Sequence, residues 1–275
     1  MSESLSLSRC ARGIVWEATP GEGELLSALP GATAMETSVR PLIGCCGFVT
    51  AQAQYFRLFR AIEIQQTFYQ LPRLQTAEKW RSAAPEGFEF TLKAWQLITH
   101  EPSSPTYRRL GKKIEPGEMD QYGSFKPTAA VRDAWARTAV FARALGARLI
   151  VFQCPASFRP TAEHLGNLRA FFSAIDREGF RFCWEPRGAW PSPLVRKLCQ
   201  ELDLVHCVDP FRGEPQHGEI RYFRLHGITG YQYRYTDGDL KQLRGWVERK
   251  PTYVLFNNNG MKEDALRFLE MTRPH

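Results

Sequence analysis

Eight short apolar segments recur along the chain from residue 41 onward, and longer stretches with helical spacing separate most of them. Short runs rich in Val, Ile, Leu and Phe are typical of buried strands. The predicted strands are Leu42–Cys46, Ala61–Gln65, Phe88–Ala94, Arg148–Cys154, Phe180–Glu185, Leu204–Asp209, Ile220–His226 and Thr252–Asn257. Strands that alternate with helices form a parallel sheet, and eight such strands can close into a barrel.

The predicted fold is therefore of the α/β class: a single (β/α)8 TIM-type barrel over residues 41–275, with a long loop after the third strand. Residues 1–40 are rich in Gly, Ser, Ala and Glu, and we expect a partly ordered N-terminal extension there. An open, doubly wound sheet is the alternative. Such sheets usually carry a glycine-rich turn after the first strand, and Gly44-Cys45-Cys46-Gly47 does not fit GxGxxG.

Two connections depart from simple strand–helix alternation. Residues 95–130 form a polar, proline-containing loop that is too long for a plain crossover. This loop is either a lid over the strand ends or a decorative insertion. The sixth connection, Pro210–Glu219, is too short for a full helix and is predicted to be an open loop.

The charge of the chain suits anionic ligands but does not mark a nucleic-acid-binding protein. The net charge is +7, yet the basic residues are spread along the sequence and form no Lys/Arg block. We therefore expect a small-molecule ligand, with nucleic acid as a less favoured partner. No apolar stretch is long enough to cross a bilayer, and the first residues lack a secretory pattern. A cytoplasmic location without a membrane partner is the default expectation, and the oligomeric state is not predicted.

The cysteine pattern indicates reduced core residues. Their number is odd, no CxxC pair occurs, and several lie in apolar strand-like runs, which argues against a disulfide framework and against a zinc ribbon. The sequence requires no cofactor. The seven cysteines are Cys10, Cys45, Cys46, Cys154, Cys183, Cys199 and Cys207.

Charged side chains recur on one face of several predicted strands. Neighbouring side chains in a strand point to opposite faces, so Phe182 and Trp184 of the fifth strand share one face and Glu185 takes the other. The same alternation places charged residues on the inward face of three more strands: Glu63, Lys93, and Arg224 with His226. Polar residues end three further strands: Gln153, Asp209 and Asn257. Because the active sites of such barrels lie at the C-terminal strand ends, we expect a functional site there.

Each of the three candidate catalytic residues has a structural alternative. Lys93 either neutralises Glu63 or Glu185 in an internal ion network, or binds an anion; a desolvated amine could also form a Schiff base. Glu185 either pairs with Arg187, or acts as a general acid or base or as a metal ligand. His226 is either a core histidine or a group that transfers protons.

Three candidate binding residues are also ambiguous. Asp209 precedes Pro210 and could be a loop cap. Asn257 could belong to a turn that precedes a helix. His100 opens the long loop, and the sequence does not favour one role for it.

An ordered series of motifs resembles the YecE-like family, known as domain of unknown function seventy-two. The series covers about residues 42–270 and includes Ile62-Glu63-Ile64, Pro85-Glu86-Gly87-Phe88, Lys93-Ala94, Ile98-Thr99-His100, Phe152-Gln153, Trp184-Glu185-Pro186-Arg187, Tyr222-Phe223-Arg224-Leu225-His226-Gly227 and Phe256-Asn257-Asn258. The resemblance implies a TIM-type barrel but supplies no reaction. Three positions depart from the family pattern: Gln65 where Asn is usual, Cys154 where Pro is usual, and Cys45-Cys46-Gly47-Phe48 in place of a Ser-Gly-aromatic opening.

The first functional hypothesis is an enzyme that acts on a small polar or anionic metabolite, such as a sugar or sugar phosphate. Lys93, Arg187 and Arg224 would bind the anion, while Glu185 and His226 would move protons. The remaining predicted substrate-binding residues are Glu63, Gln65, His100, Gln153, Asp209 and Asn257.

Two other hypotheses remain open. In one, Glu185, Asp209 and His226 bind a divalent metal, although Lys93 and the arginines would repel a cation. In the other, the chain is a non-catalytic module that binds a metabolite or nucleic acid. In that case Tyr231, Tyr233 and Tyr235 either stack on bases or form a packed rim.

Overall fold

The barrel closes through eight parallel strands in a computed structural model that describes residues 40–248 and 250–273. The strands are β1 (Leu42–Cys45), β2 (Ala61–Ile64), β3 (Glu89–Lys93), β4 (Leu149–Gln153), β5 (Arg181–Glu185), β6 (Val205–Val208), β7 (Arg221–Leu225) and β8 (Thr252–Phe256). Each lies within a predicted run and is shorter than it by one or two residues. The predicted α/β barrel is confirmed. The expected N-terminal extension, except for Arg40, lies outside the described residues, as does Cys10.

Helices follow the strands and cover the outside of the barrel. They are α1 (Gln52–Leu58), α2 (Gln66–Tyr69), α3 (Leu74–Ala83), α4 (Gln96–Thr99), α5 (Ala129–Leu145), α6 (Ala162–Ala174), α7 (Ser192–Glu201), α8 (Asp237–Val247) and α9 (Met261–Met271). Local sequence fixes several of their ends. The Thr161 hydroxyl accepts the His164 amide at 3.1 Å at the start of α6, and Gly146, at φ 67°, ends α5 in the left-handed conformation that glycine tolerates best. No helix within the described ranges is long and apolar enough to span a membrane.

Strand parity separates two apolar layers, as the sequence predicts. Outward residues such as Phe90, Phe182 and Trp184 pack against the helices in the larger core. Inward residues, including Val151 and Cys183, form a smaller cluster inside the barrel. Truncation of a large aromatic side chain in such a core typically costs about 3–5 kcal/mol. The barrel is therefore supported from outside, and its interior can accommodate polar side chains near the strand ends.

Part of the long connection between β3 and β4 packs against the aromatic core outside the barrel. It contains α4 and two short 3-10 helices, Pro105–Arg109 and Pro116–Gln121. Phe125 is fully buried, and its ring lies 5.3 Å from that of Phe171 and 6.2 Å from that of Phe152. The cavity discussed below takes no wall residue from this connection among the described residues, so the structure gives the lid interpretation no support.

The connection between β6 and β7 is an open loop, as predicted. No helix forms in its described residues, which run from Asp209 to Ile220. This loop leaves one side of the barrel mouth without a helix, and its residues help to line the cavity there.

Candidate active site

Arg224 lies at the centre of a buried ion network inside the barrel mouth. Its Nε donates to Glu63 Oε2 at 3.0 Å, and its Nη2 lies 2.9 Å from Glu63 Oε1. Its Nη1 donates to Glu185 Oε2. The Tyr222 hydroxyl also donates to Glu63, at 2.9 Å. Three strands, β2, β5 and β7, supply the network, and each places its charged residue on the inward face.

This network leaves Arg224 no free edge for a ligand. Arg224 is 1% exposed, and its guanidinium nitrogens face two carboxylates and, at 4.0 Å, the Cys46 sulfur. Burial alone would lower the pKa of Arg224, but Glu185 and Glu63 outweigh that effect and raise it. The sequence hypothesis that Arg224 binds an anion therefore does not fit this geometry. Arg224 instead positions two carboxylates.

Glu185 connects the buried network to a more open arginine. Its Oε1 accepts from Arg187 Nε at 3.3 Å and from Arg187 Nη2 at 3.2 Å. Burial would raise the pKa of Glu185, but Arg224 and then Arg187 outweigh it, and the pKa falls to about 2. Glu185 is thus a carboxylate at neutral pH and has no proton to donate, which disfavours the general-acid role that the sequence left open. Its pairing with Arg187, the structural alternative, is present.

His226 faces the same arginine and has a defined tautomer. Arg187 Nη2 lies 2.8 Å from His226 Nε2, and because a guanidinium can only donate, Nε2 is the acceptor. The ring proton therefore lies on Nδ1, which is 3.7 Å from Asp209 Oδ2. Asp209 is itself fixed, since it accepts the His226 backbone amide at 3.0 Å and the Phe211 amide at 3.1 Å. A basic nitrogen is thus oriented toward Arg187, with a carboxylate behind the ring.

A cavity of about 420 Å³ opens beside these residues, between the ends of β5, β6 and β7. Its wall includes Glu185, Arg187, Asp209, Arg212, His226 and Tyr231. This volume lies within the range of small-molecule sites, which are roughly 300–1,000 Å³. The cavity therefore holds the imidazole and the open arginine in one space that a small ligand could occupy.

Lys93 lies deeper in the barrel mouth and is not part of that wall. It ends β3, is 6% exposed, and its Nζ lies 3.4 Å from the centre of the Phe68 ring. Among the described residues, no carboxylate oxygen lies within 4.0 Å of Nζ, because Glu63 and Glu185 pair with arginines instead. The structural alternative in which Lys93 neutralises one of these carboxylates is thus not observed.

The surroundings of Lys93 disfavour its charged form. Burial is the largest cause, and Arg224 and Arg187 act in the same direction. Glu185 and Glu63 oppose them, but the pKa of Lys93 still falls to about 7. A substantial fraction of this amine is therefore neutral at physiological pH.

Three of the remaining predicted binding residues lie at the C-terminal strand ends, and His100 follows α4 in the connection after β3. His100 lies against Phe68 at 4.8 Å, and burial lowers its pKa to about 3. Gln153 pairs in register with Glu185 and donates to the Cys154 carbonyl at 2.8 Å. The Gln65 side chain donates to Glu63. Asn257 follows β8, where its backbone amide donates to the Leu225 carbonyl at 2.8 Å.

Arg212 and His206 are among the wall residues that the sequence analysis missed. Arg212 donates to the Gly227 carbonyl at 3.2 Å and lies 3.9 Å from Asp209, so a second arginine is held over the cavity. His206 accepts the Gln216 amide at 3.1 Å through Nδ1, and burial lowers its pKa to about 4. The open loop after β6 was the only available signal, since it implied residues left uncovered at the barrel mouth.

The tyrosine run beyond β7 does not form a stacking surface. Tyr231 is 49% exposed and its ring lies 5.8 Å from that of His226, whereas Tyr235 is buried and its hydroxyl accepts the Gly227 amide at 2.8 Å. The Tyr233 hydroxyl donates to Asp239 at 2.7 Å. Of the three rings that could stack on bases, Tyr231 is therefore available, whereas Tyr233 and Tyr235 belong to the packed rim.

The hypothesis of a divalent metal site gains no support from the arrangement of donor atoms. Within residues 40–248 and 250–273, no three His, Cys, Asp or Glu side chains are grouped closely enough to hold a metal ion. Arg187 lies between Glu185 and His226 and contacts both, which places a cation where the metal was hypothesised.

The described cysteines are buried and unpaired. Burial raises the thiol pKa of Cys45 to about 12 and that of Cys46 well above its ordinary value. Such thiols are weak nucleophiles. The sequence interpretation of Cys45, Cys46, Cys154, Cys183, Cys199 and Cys207 as core residues matches their observed burial.

Solved structures with the same fold come from several bacteria. A DUF72 family protein from Enterococcus faecalis V583 is 20% identical with a TM-score of 0.65, over 86% of this chain and 98% of that one. A DUF72 family protein from Thermotoga maritima MSB8 is 18% identical with a TM-score of 0.61, over 84% and 98%. A xylose isomerase domain containing protein from Salmonella typhimurium LT2 is 12% identical with a TM-score of 0.54, over 85% and 96%.

The distant structural similarities show the fold alone, and a sequence match to a family model is more specific. No curated protein is significantly similar in sequence to this chain. The model described as "Protein of unknown function DUF72" matches residues 51–273, which include all the candidate site residues. This match covers most of the chain and agrees with the ordered motif series. The chain belongs to the DUF72 family, for which the YecE-like family is another name.

Proposed function

We propose that this protein is an enzyme that performs acid–base chemistry on a small anionic metabolite of the sugar or sugar phosphate class. The observation that carries the proposal is the His226 imidazole, which faces a cavity with its acceptor nitrogen beside Arg187 and its ring proton toward Asp209. An oriented imidazole next to a cationic group is a common arrangement for proton transfer to or from a bound anion.

Two arginines favour an anionic substrate. Arg187 and Arg212 both line the cavity, and their side chains are 35% and 56% exposed. Each is held by a carboxylate, Glu185 or Asp209, yet keeps part of its donor set open to the cavity. Arginine suits carboxylate and phosphate groups because its planar donors can bind two oxygens at once.

Substrate binding can free His226 for catalysis. In the structure, His226 Nε2 accepts from Arg187. An anion that takes over the Arg187 donor leaves Nε2 unpaired, and it can then accept a proton from the substrate. Asp209 stabilises the resulting imidazolium through its charge near Nδ1. Glu185 does not move a proton in this scheme; it positions Arg187 and Arg224.

The polar surroundings support a sugar-like substrate. The cavity wall mixes charged donors with the rings of Trp190 and Tyr231, and flat apolar faces beside hydrogen-bonding groups suit carbohydrates. The Salmonella protein with the same fold is described as containing a xylose isomerase domain. That description supports the substrate class by analogy of fold.

Solvent exchange tests the proposed chemistry even though the overall reaction is unidentified. We would incubate the protein in D2O with glucose 6-phosphate, fructose 6-phosphate, ribose 5-phosphate and their unphosphorylated sugars, and follow proton signals by NMR. Removal of a general base typically costs 10²- to 10⁴-fold in rate. We therefore expect exchange or conversion of a phosphorylated sugar, and a loss of about 100-fold or more in His226→Gln.

The control variant is His164→Gln, because His164 lies on the outer helix α6 and is not in the cavity wall. It should keep wild-type rates. Binding would be followed separately by thermal shift, since a ligand at about 100 times its Kd adds ~2.7 kcal/mol of stability. Equal rates in His226→Gln and wild type would refute the role of His226.

A non-catalytic binding module is the alternative outcome of the same experiment. A ligand that shifts the melting temperature but shows no exchange or conversion would favour a metabolite-binding protein. Binding of single-stranded oligonucleotides at low salt, weakened steeply by added salt, would favour a nucleic-acid-binding module.

A further inference from the structure

Lys93 is a buried amine that the ion network leaves unpaired. Its neighbours Glu63 and Glu185 are both engaged by Arg224, so the carboxylates that could neutralise Lys93 are already occupied. No hydrogen-bond acceptor contacts Nζ among the described residues, and the centre of the Phe68 ring lies 3.4 Å from it. A buried, unpartnered lysine is costly for stability, so a structural role explains it poorly.

The backbone fixes Lys93 at the open end of its strand. The Thr67 hydroxyl donates to the Lys93 carbonyl at 2.7 Å and to the Ile64 carbonyl at 3.0 Å, which ties the ends of β2 and β3 together. The side chain points inward, toward the same mouth into which Glu185 and Arg224 project.

We propose that Lys93 forms a covalent imine with the carbonyl carbon of an anionic aldehyde or ketone whose charged group is bound by Arg187. This inference rests on the proposed function and narrows its substrate class from polar metabolites to those with a reactive carbonyl. An unpaired amine inside the barrel mouth and an open arginine on the adjoining cavity wall define the two ends of such a substrate.

The reaction balances without any further reagent. The neutral Nζ adds its lone pair to the carbonyl carbon, and the C=O π electrons move to oxygen, which takes up the proton that the nitrogen releases. The resulting carbinolamine then loses its hydroxyl group as water after protonation by solvent. The products are one water and a protonated imine, formed from one amine, one carbonyl and one proton.

The surroundings favour the neutral amine that this chemistry needs. Burial, with the nearby Arg224 and Arg187, lowers the pKa of Lys93 to about 7, although Glu185 and Glu63 act in the opposite direction. His100, the neighbouring histidine, has a pKa of about 3 and adds no positive charge at neutral pH. At pH 7 about half of the Lys93 amine is thus neutral, against roughly 1 in 3,000 for a lysine with an ordinary pKa.

Reductive trapping tests the imine directly. We would mix the intact protein with glyoxylate, dihydroxyacetone phosphate or glyceraldehyde 3-phosphate, add sodium cyanoborohydride, and map the modified lysines by mass spectrometry. Lys93 should be modified by at least one probe, and its rate at pH 7 should exceed that of the exposed Lys79 by roughly 1,000-fold, in proportion to its larger neutral fraction. The modification rate of Lys93 should rise most steeply around pH 7.

Variants separate the imine from non-specific labelling. Lys93→Met should abolish the fast modification, and Lys79→Met should leave it unchanged. Because the wild-type peptide map reports on Lys93 by itself, the test does not depend on correct folding of Lys93→Met. Labelling of exposed lysines with Lys93 unmodified by all three probes would refute the proposal.

The two proposals fail in different ways. If sugar phosphates exchange protons in D2O while Lys93 is never trapped, the acid–base function stands and the imine is refuted. If Lys93 is trapped by the carbonyl probes but His226→Gln changes no rate, the imine stands and the proposed role of His226 is refuted.

Discussion

The two ends of the barrel carry the same residue types, arginine and glutamate, in different surroundings. At the C-terminal end, the Arg224–Glu63 pair spans 2.9 Å, with side chains 1% and 0% exposed. At the N-terminal end, the Arg181–Glu219 pair spans 3.6 Å, with side chains 55% and 87% exposed. A surface pair typically contributes about 0–1 kcal/mol, while loss of one partner of a buried pair typically costs about 3–5 kcal/mol.

Cavity size alone would favour the N-terminal end of the barrel over the end that carries the proposed site. The hollow at the N-terminal end, lined by Arg148, Arg181 and Tyr253 among others, has a volume of about 670 Å³, against about 420 Å³ at the C-terminal end. Its charged groups are more exposed, however, as the 55% exposed side chain of Arg181 shows. The comparison teaches that buried, mutually constrained charges distinguish the proposed functional end of this barrel better than open volume does.

The largest effect is expected for Arg224→Met. This change leaves Glu63 and Glu185 buried without their shared partner, so we expect a loss of about 5 kcal/mol in the free energy of unfolding at neutral pH. Urea denaturation of both proteins measures this loss. A loss below about 1 kcal/mol would show that the C-terminal network behaves like the exposed pairs. The contrast between the two ends of the barrel would then not hold.

The next effect concerns Lys93 and alkaline pH. The pKa of Lys93 is lowered from 10.5 to about 7 in the folded protein. Between pH 7 and pH 10.5 the unfolded chain therefore binds more protons than the folded protein. Wild-type stability should therefore rise relative to Lys93→Met as the pH increases from about 7 to 10.5. We expect a change of about 4 kcal/mol, since the Phe68 ring stabilises the ammonium and offsets part of the shift. A parallel pH dependence in the two proteins would contradict the lowered pKa.

A smaller effect is expected at acidic pH for Glu185. Its folded-state pKa of about 2 lies below the ordinary value of 4.5, so its contribution is present above pH 4.5 and is lost as the pH falls toward 2. This contribution should amount to about 3 kcal/mol. Glu185→Gln, which cannot titrate, should lack that part of the acid-induced loss when thermal unfolding is measured between pH 5 and 2. If Glu185→Gln and the wild type lost the same stability between pH 5 and 2, that result would show that Glu185 is solvated.

The smallest effect is expected at the other end of the barrel. Arg181→Met removes an exposed ion pair and should change stability by less than about 1 kcal/mol, with the difference vanishing at high salt. Urea denaturation at low and high salt measures this change in stability. Arg224→Met, which removes the buried pair, is measured under the same conditions for comparison. A large, salt-independent loss in Arg181→Met would remove the distinction between the two ends.

The fold could be predicted from sequence because it depends on periodicity. Apolar runs and strand parity record which residues are buried, and each observed strand falls inside its predicted run. Parity also placed Glu63, Lys93, Glu185 and Arg224 on the inward face, because side-chain direction alternates regardless of what each residue contacts. Arg212 was missed because it lies in an irregular loop, where no periodicity relates sequence to direction.

The sequence by itself thus determined the barrel, its register of inward residues and the end at which the charged groups gather. Only the tertiary structure decided which charges pair. Arg224 takes both buried carboxylates, Arg187 lies between Glu185 and His226, and Lys93 is left without a partner among the described residues. Strand periodicity specifies the direction of each side chain along one dimension, whereas ion pairing depends on distances of a few ångströms between residues far apart in the chain, and those distances exist only after the barrel closes.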